Sequence, residues 1–387
     1  MLFPTVRPCP SLRIATFLIF FCALLDLNIC RAADVGSKPP IRIAIYGLVH
    51  GHARGFVPQA LKSSEVQLVG IIEPDEKVAA LYAKQYNLNT NLFFPNLEAL
   101  LAKTNVQVVA TFTSTFDHKR VVEECAPHGI QVMMEKPLAV NMEHARAIAA
   151  AAKQGGIQVI VNYETTWYPA NHAAYDLVCT EKSLGDIRKI VVHDGHQGPK
   201  EIGCPPEFLA WLTDPVLNGG GALPDFGCYG ADLMTWLMQG QRPTSVFAVT
   251  QHIKPDLYPK VEDEASIVLT YPKAQGIIQS SWNWPYNRKD MEIYCQRGYV
   301  LVPRNDTLRV LKGNKIEDET SPTPPTLIGA DANSISYLAA VVRGEIKPSG
   351  LSSLPVNMTV IEILDAARES AATGKRIDLP PTPAWSE

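Results

Sequence analysis

The chain has no cysteine pair at C-x-x-C spacing, no basic cluster and no twin arginine. The first absence removes zinc-ribbon and dithiol redox motifs. Of eight cysteines, Cys9, Cys22 and Cys30 fall in the first thirty residues, leaving Cys125, Cys179, Cys204, Cys228 and Cys295. Five cannot all pair, so buried free thiols are expected, with one disulfide left open. A formal charge of -4 and a pI near 6.2 exclude an electrostatic grip on nucleic acid. The apolar run Ile14 to Leu25 is too short to span a bilayer comfortably. With Arg7 and Arg13 before it and Cys30-Arg31-Ala32 after it, the run reads as a signal peptide over residues 1–33, cleaved near Ala32 or Ala33. Bulky Ile29 before Cys30 argues against lipid attachment. The expected product is exported, periplasmic or extracellular, with no stable membrane insertion after cleavage.

From Ile41 the pattern alternates strands and helices. Ile41 to Tyr46 is a strand stopped by Gly47, followed by strands at Gln67 to Ile72, Val106 to Phe112, Gln131 to Met134 and Gln158 to Asn162. Helices are expected at Asp75 to Tyr86, His118 to His128 and from the Asn141 cap through Lys153, stopped at Gly155-Gly156. The fold class is α/β: a Rossmann-type parallel sheet over residues 39–162. Residues 163–380 change style. Closely spaced strands with turn residues between them predict a second α/β domain with a largely antiparallel open sheet, an inserted helix at Cys228 to Met238, and closing helices at Ser334 to Val342 and Val356 to Thr373.

The loop Gly47-Leu48-Val49-His50-Gly51-His52 keeps only the first glycine of the G-x-G-x-x-G nucleotide pattern, with Val49 and His52 in place of the others. Glu73 ends the second strand, where a carboxylate accepts ribose hydroxyls and repels a 2′-phosphate, so NAD is expected over NADP. His50 and His52 also form an H-x-H pair of the kind that opens metal-dependent hydrolase barrels. That reading needs ligands at later strand ends, where only His118 and the ambiguous His193 and His196 offer themselves, and no metal is expected.

Glu135-Lys136-Pro137 closes a strand, and Asp225-Phe226-Gly227-Cys228-Tyr229 follows at long interval. A lysine, a carboxylate and a phenol are proton-handling groups, and after a dinucleotide-type start they suggest hydride chemistry on a hydroxyl or carbonyl carbon. Asp225 has a second reading as the cap of the helix near Cys228, and Tyr229 as core.

These segments, together with Thr113-Ser114 to His118 and Gly219 to Asp232, resemble the Gfo/Idh/MocA oxidoreductase family over nearly the whole chain after the leader. The resemblance implies NAD or NADP between the two domains and a sugar, cyclitol or related polyol as substrate. It assigns Gly47, Val49, His50, His52, Glu73, Thr113, Ser114, His118, Glu135 and Lys136 to the cofactor and Lys136, Asp225 and Tyr229 to catalysis. The family's D-x-G-x-H-x-x-D pattern falls on Asp225 to Asp232, with Tyr229 where the histidine is usual; Tyr229 or Lys136 would accept the proton if Lys136 lowers the phenol pKa. Tyr163, Trp167, His172 and His196 are candidates for sugar contacts, and a homo-oligomer is expected. Two alternatives stay open: an NAD-assisted glycoside hydrolase or lyase, and a secreted sugar-binding protein without catalysis.

Overall fold

The apolar runs that begin at Ile41 form a six-stranded parallel sheet in a computed structural model that describes residues 38–382, so the expected leader lies outside the described residues. Its strands are β1 (Ile41–Tyr46), β2 (Val66–Ile72), β3 (Phe93–Phe94), β4 (Val108–Thr111), β5 (Gln131–Glu135) and β6 (Val159–Asn162). They lie in the order β3-β2-β1-β4-β5-β6, the doubly wound order whose reversal between β1 and β4 opens a crevice at the strands' carboxyl ends. β4 is buried on both faces, which is why it reads as an unbroken apolar run. Helices α1 (Ala53–Lys62), α2 (Glu76–Gln85), α3 (Leu97–Leu101), α4 (His118–Cys125) and α5 (Met142–Gly155) make the connections. Asp75 caps α2 by accepting from the Lys77 and Val78 N–H groups, and Asn141 caps α5 through the His144 N–H. β3 and α3 escaped the sequence reading because two phenylalanines and five residues carry no usable period.

The second sheet takes its strands from α6 (Pro169–Tyr175) onward: β7 (Ile187–Gly195), then, after α7 (Pro206–Leu212) and α8 (Ala222–Leu237), β8 (Ser245–Gln251), β9 (Glu264–Thr270), β10 (Gln275–Ser281), β11 (Arg288–Cys295), β12 (Gly298–Arg304) and β13 (Thr307–Lys312). After α9 (Ser334–Val342) and α10 (Leu354–Thr373), β14 (Ile377–Asp378) completes the order β13-β12-β11-β7-β10-β9-β8-β14. Every pairing is antiparallel except β7 with β10. α8 and α10 pack together against this sheet, and strands such as β9 alternate buried with open positions.

Two differences from the sequence reading bear on the site. α8 starts at Ala222 rather than Cys228, so Asp225 lies inside its first turn and does not cap a later start. Pro224 is tolerated there because first-turn N–H groups have no helical partner. The Glu262 carboxylate takes over the cap, accepting the Gly221 and Leu223 N–H groups at 2.8 and 3.0 Å. A Cβ on Gly221 would lie 1.9 Å from the Glu262 carbonyl oxygen, so that close approach requires glycine.

The second difference concerns the boundary at residue 162. It separates the two sheets, but α9 returns to the first: Ile335, Tyr337, Leu338, Ala339 and Val341 share one core with Ile41, Ile43, Ile45, Phe56 and Val57 of β1 and α1. Nor is the other face of the first sheet closed off, since Val132, Met134 and α5 share a core with α8, α10 and the second sheet. The described residues from 39 to 382 accordingly form one compact unit. No helix among the described residues is long and apolar enough to cross a membrane.

Candidate active site

β5 ends at Glu135, placing Lys136 at the mouth of the crevice before a cis Lys136–Pro137 peptide. Lys136 is 6% exposed. Its Nζ donates to Asp225 Oδ1 at 2.6 Å and to the Asp225 carbonyl at 3.1 Å, while the Trp282 indole donates to Asp225 Oδ2 at 2.9 Å. Burial opposes both charges, but at this distance their mutual attraction prevails: the lysine pKa is raised and the aspartate pKa lowered. The pair therefore stays ionised near neutral pH.

Tyr229 stands one helical turn beyond Asp225, on the same side of α8. The Lys136 ammonium lies 5.1 Å from its ring centroid and the Lys289 ammonium 4.8 Å, with Tyr163 edge-on at 5.4 Å. The expected lowering of the phenol pKa does not occur. Burial pushes it well above the ordinary value and the nearby Glu164 carboxylate adds to that; the two ammonium groups address the ring. Lys289, which the sequence reading missed, is ion-paired with Glu164.

His52, Lys136, His196, Asp225, Tyr229 and Lys289 share a cavity of ≈ 500 Å³. Of the four residues expected to contact a sugar, only His196 lies there. Tyr163 is fully buried, donates to Asn357 Oδ1 at 3.0 Å and supports Tyr229 from behind. Trp167 and His172 line a different cavity of ≈ 610 Å³ with Tyr175 and Trp236, because the turn after β6 carries them toward α6 and the His172 Nε2 is held at the Thr166 carbonyl, 2.8 Å away.

The nucleotide loop is tightly braced. Gly47 has φ +78°, and a Cβ there would lie 2.6 Å from Thr113 Cγ2. Glu73 accepts the Leu48 N–H at 2.8 Å and the Asp75 N–H at 2.9 Å, so it ties loop to strand with both oxygens, each keeping a second lone pair for a ribose hydroxyl. Val49 presents its carbonyl to the Trp211 indole at 3.3 Å. His50 is sunk against Phe208 and Trp211, ring centroids 4.8 and 5.4 Å away; burial holds its pKa well below the ordinary value. Thr113 bonds Thr111 and the Ser114 carbonyl, Ser114 caps the turn before α4, and His118 donates from Nδ1 toward the Pro137 and Leu138 carbonyls, bracing the lysine loop. The N-terminus of α1, the Gly47 turn and the Glu73 carboxylate fit a dinucleotide.

His50, His52 and Glu135 bring donor atoms within 4.8 Å of one another, so Glu135 supplies the later-strand ligand that the H-x-H reading lacked. These atoms satisfy each other, however. The His52 backbone N–H donates to His50 Nδ1 at 3.1 Å, His52 Nδ1 meets Glu135 Oε2 at 2.9 Å, and Asn162 donates to Glu135 Oε1 at 2.9 Å. A cation would have to displace that network.

Two family descriptions match the chain: an oxidoreductase family with an NAD-binding Rossmann fold over residues 41–163, and the GFO/IDH/MocA C-terminal domain over residues 172–301. Trans-1,2-dihydrobenzene-1,2-diol dehydrogenase of Xenopus laevis is 25% identical over 317 residues, 80% of this chain and 91% of that protein. The Macaca fascicularis protein of the same name is 27% identical over 306 residues, 78% of this chain and 86% of its own. Among solved structures, aldose-aldose oxidoreductase of Caulobacter crescentus complexed with glycerol superposes with TM-score 0.74 at 22% identity, covering 88% of this chain and 100% of that one. An inositol dehydrogenase homolog of Azotobacter vinelandii complexed with NAD+ superposes with TM-score 0.77 at 18% identity, covering 88% and 98%. The chain belongs to the Gfo/Idh/MocA family and is an NAD(P)-dependent oxidoreductase acting on CH-OH groups.

Proposed function

We propose that the protein is an exported enzyme that oxidises a secondary hydroxyl, or reduces the matching carbonyl, of a sugar, cyclitol or related polyol. The observation that carries this reading is the buried Lys136–Asp225 pair facing Tyr229 across one cavity. The aldose and inositol in the names of similar structures support the substrate class. Export is supported by the leader pattern at the start of the chain, and assembly of copies through the open face of the second sheet by the exposed Phe247 and Val249 of β8.

Gly47, Glu73 and the start of α1 would hold the dinucleotide, which would supply a hydride acceptor for the substrate carbon. The Lys136 ammonium, fixed by Asp225, donates to the substrate oxygen and stabilises negative charge developing there. Tyr229 keeps its proton and is a second donor. Because free dinucleotide is scarce outside the cytoplasm, the proposal includes a retained cofactor. Denaturing the purified protein and weighing what is released tests it: bound NAD supports retention, and a chain that neither carries nor binds NAD or NADP would refute the reading in favour of a sugar-binding protein.

A further inference from the structure

The hydrogen bonds of the cavity wall fix which groups already hold a proton. Lys136 is an ammonium tied to Asp225, and burial, not a hydrogen bond, keeps the proton on the Tyr229 phenol. His196 Nδ1 accepts the Gly198 N–H at 2.9 Å, which places the ring hydrogen on Nε2 and makes that atom a donor. His52 has the opposite tautomer. Its Nδ1 is 2.9 Å from Oε2 of Glu135; the carboxylate is ionised, because the imidazole and the Asn162 amide outweigh the burial that opposes its charge. A carboxylate only accepts, so Nδ1 carries a hydrogen, and the neutral ring has its lone pair on Nε2.

The imidazole is also well held. Glu135 is 2% exposed, its other oxygen accepts from Asn162 Nδ2, and Asn162 Oδ1 accepts the Trp167 indole N–H at 3.0 Å. The His52 side chain is 45% exposed and makes no capping bond to α1, so it is not needed to hold the helix. An imidazole with one nitrogen on a buried carboxylate and the other facing a reaction cavity is the arrangement that serves proton transfer in hydrolytic triads.

We propose that His52, oriented by Glu135, takes the proton of the substrate hydroxyl on Nε2, a task that Tyr229 leaves open by standing where the family's histidine is usual. The inference rests on the polyol oxidoreductase reading. In the step, the substrate O–H bond breaks as the Nε2–H bond forms, and the C–H electron pair leaves as hydride to the dinucleotide while the carbonyl forms. The imidazolium charge faces the Glu135 carboxylate, and the proton then leaves to solvent from the exposed ring edge. Lys136 remains an ammonium throughout.

The first test needs no substrate. Multiple-bond proton–nitrogen NMR on histidine-labelled protein, with His52 identified by its loss in His52→Gln, is expected to show the Nδ1–H tautomer, reverting to Nε2–H in Glu135→Ala; Nε2–H in the wild type overturns the assignment. The second compares His52→Ala with wild type using NAD and the probes myo-inositol, levoglucosan and D-glucose. A kcat reduced about 100-fold at saturating NAD, with partial rescue by added imidazole, is the expected result. Unchanged kcat, or a loss confined to NAD affinity without rescue, overturns the proposal. A wild type that turns over none of the probes counts against the polyol reading instead, and the tautomer measurement then decides on His52 alone.

Discussion

Trp282, which follows the last residue of β10, donates its indole N–H to the one oxygen of Asp225 that Lys136 does not hold, at 2.9 Å. The carboxylate is thereby fixed from two sides, and with it the ammonium. Trp282→Phe keeps most of the packing and deletes the donor. A net hydrogen bond to a charged group contributes about 1.5–3 kcal/mol, so kcat/KM is expected to fall at least about tenfold; unchanged steady-state kinetics would show that the indole only fills space.

Removing one partner of the buried pair has a larger effect. Asp225→Ala leaves the Lys136 ammonium uncompensated and is expected to lose about 3–5 kcal/mol at neutral pH, read by urea unfolding. The pH dependence follows from the lowered aspartate pKa. The contribution is present above the unfolded value, near 4, and is lost as pH falls through the folded one. Between pH 6 and pH 3 the wild type should therefore lose more stability than Asp225→Asn.

Tyr229→Phe separates donor from base. With the phenol pKa raised by burial, the hydroxyl donates but does not accept a proton, so kcat should fall by about 10–100-fold with little change in melting temperature. A wild-type rate that rises between pH 7 and pH 9 with the signature of phenol ionisation, absent in the variant, would refute this role.

Gly47→Ala tests the nucleotide turn. The methyl group meets Thr113 at a backbone angle that L side chains rarely adopt, a strain of about 1–3 kcal/mol. NAD affinity is expected to weaken by about tenfold or more in a fluorescence titration, and an unaltered dissociation constant would place the cofactor elsewhere.

Asp232 is fully buried and neither carboxylate oxygen has a hydrogen-bond partner among the described residues. Burial raises its pKa well above the ordinary value. Its folded-state cost is therefore absent below the unfolded pKa and grows as pH rises toward the folded one. Asp232→Asn should melt higher than wild type at pH 8, by about 2–4 °C for each kcal/mol relieved, with the difference closing toward pH 4. An equal difference at both pH values would contradict the assignment.

The strands of the first sheet were legible because a buried parallel strand is a continuous apolar run, and Lys136 was legible because it follows such a run. Asp225 and Tyr229 were legible from their spacing of four. Trp282 and Lys289 were not: they reach the site only by strand pairing, with Trp282 57 residues from Asp225 and Lys289 125 from Glu164. Tyr163, Trp167 and His172 were misplaced for a related reason. Which way an aromatic side chain points after a strand depends on the following turn, and there the chain runs into α6. His52 was placed at the cofactor because its position belongs to the glycine pattern; its bond to Glu135 joins the start of α1 to the end of β5, which are remote in sequence.

The return of α9 to the first sheet has a consequence for how the chain is made. The face of β1 and α1 that receives Ile335 and Leu338 stays uncovered during synthesis until residue 342 has left the ribosome, long after the six strands beneath it are complete. A fragment ending at residue 162 would expose that apolar face for good, so the nucleotide-binding half matures only with the whole chain, and a premature stop anywhere before α9 yields a sticky half-protein in place of a smaller functional one.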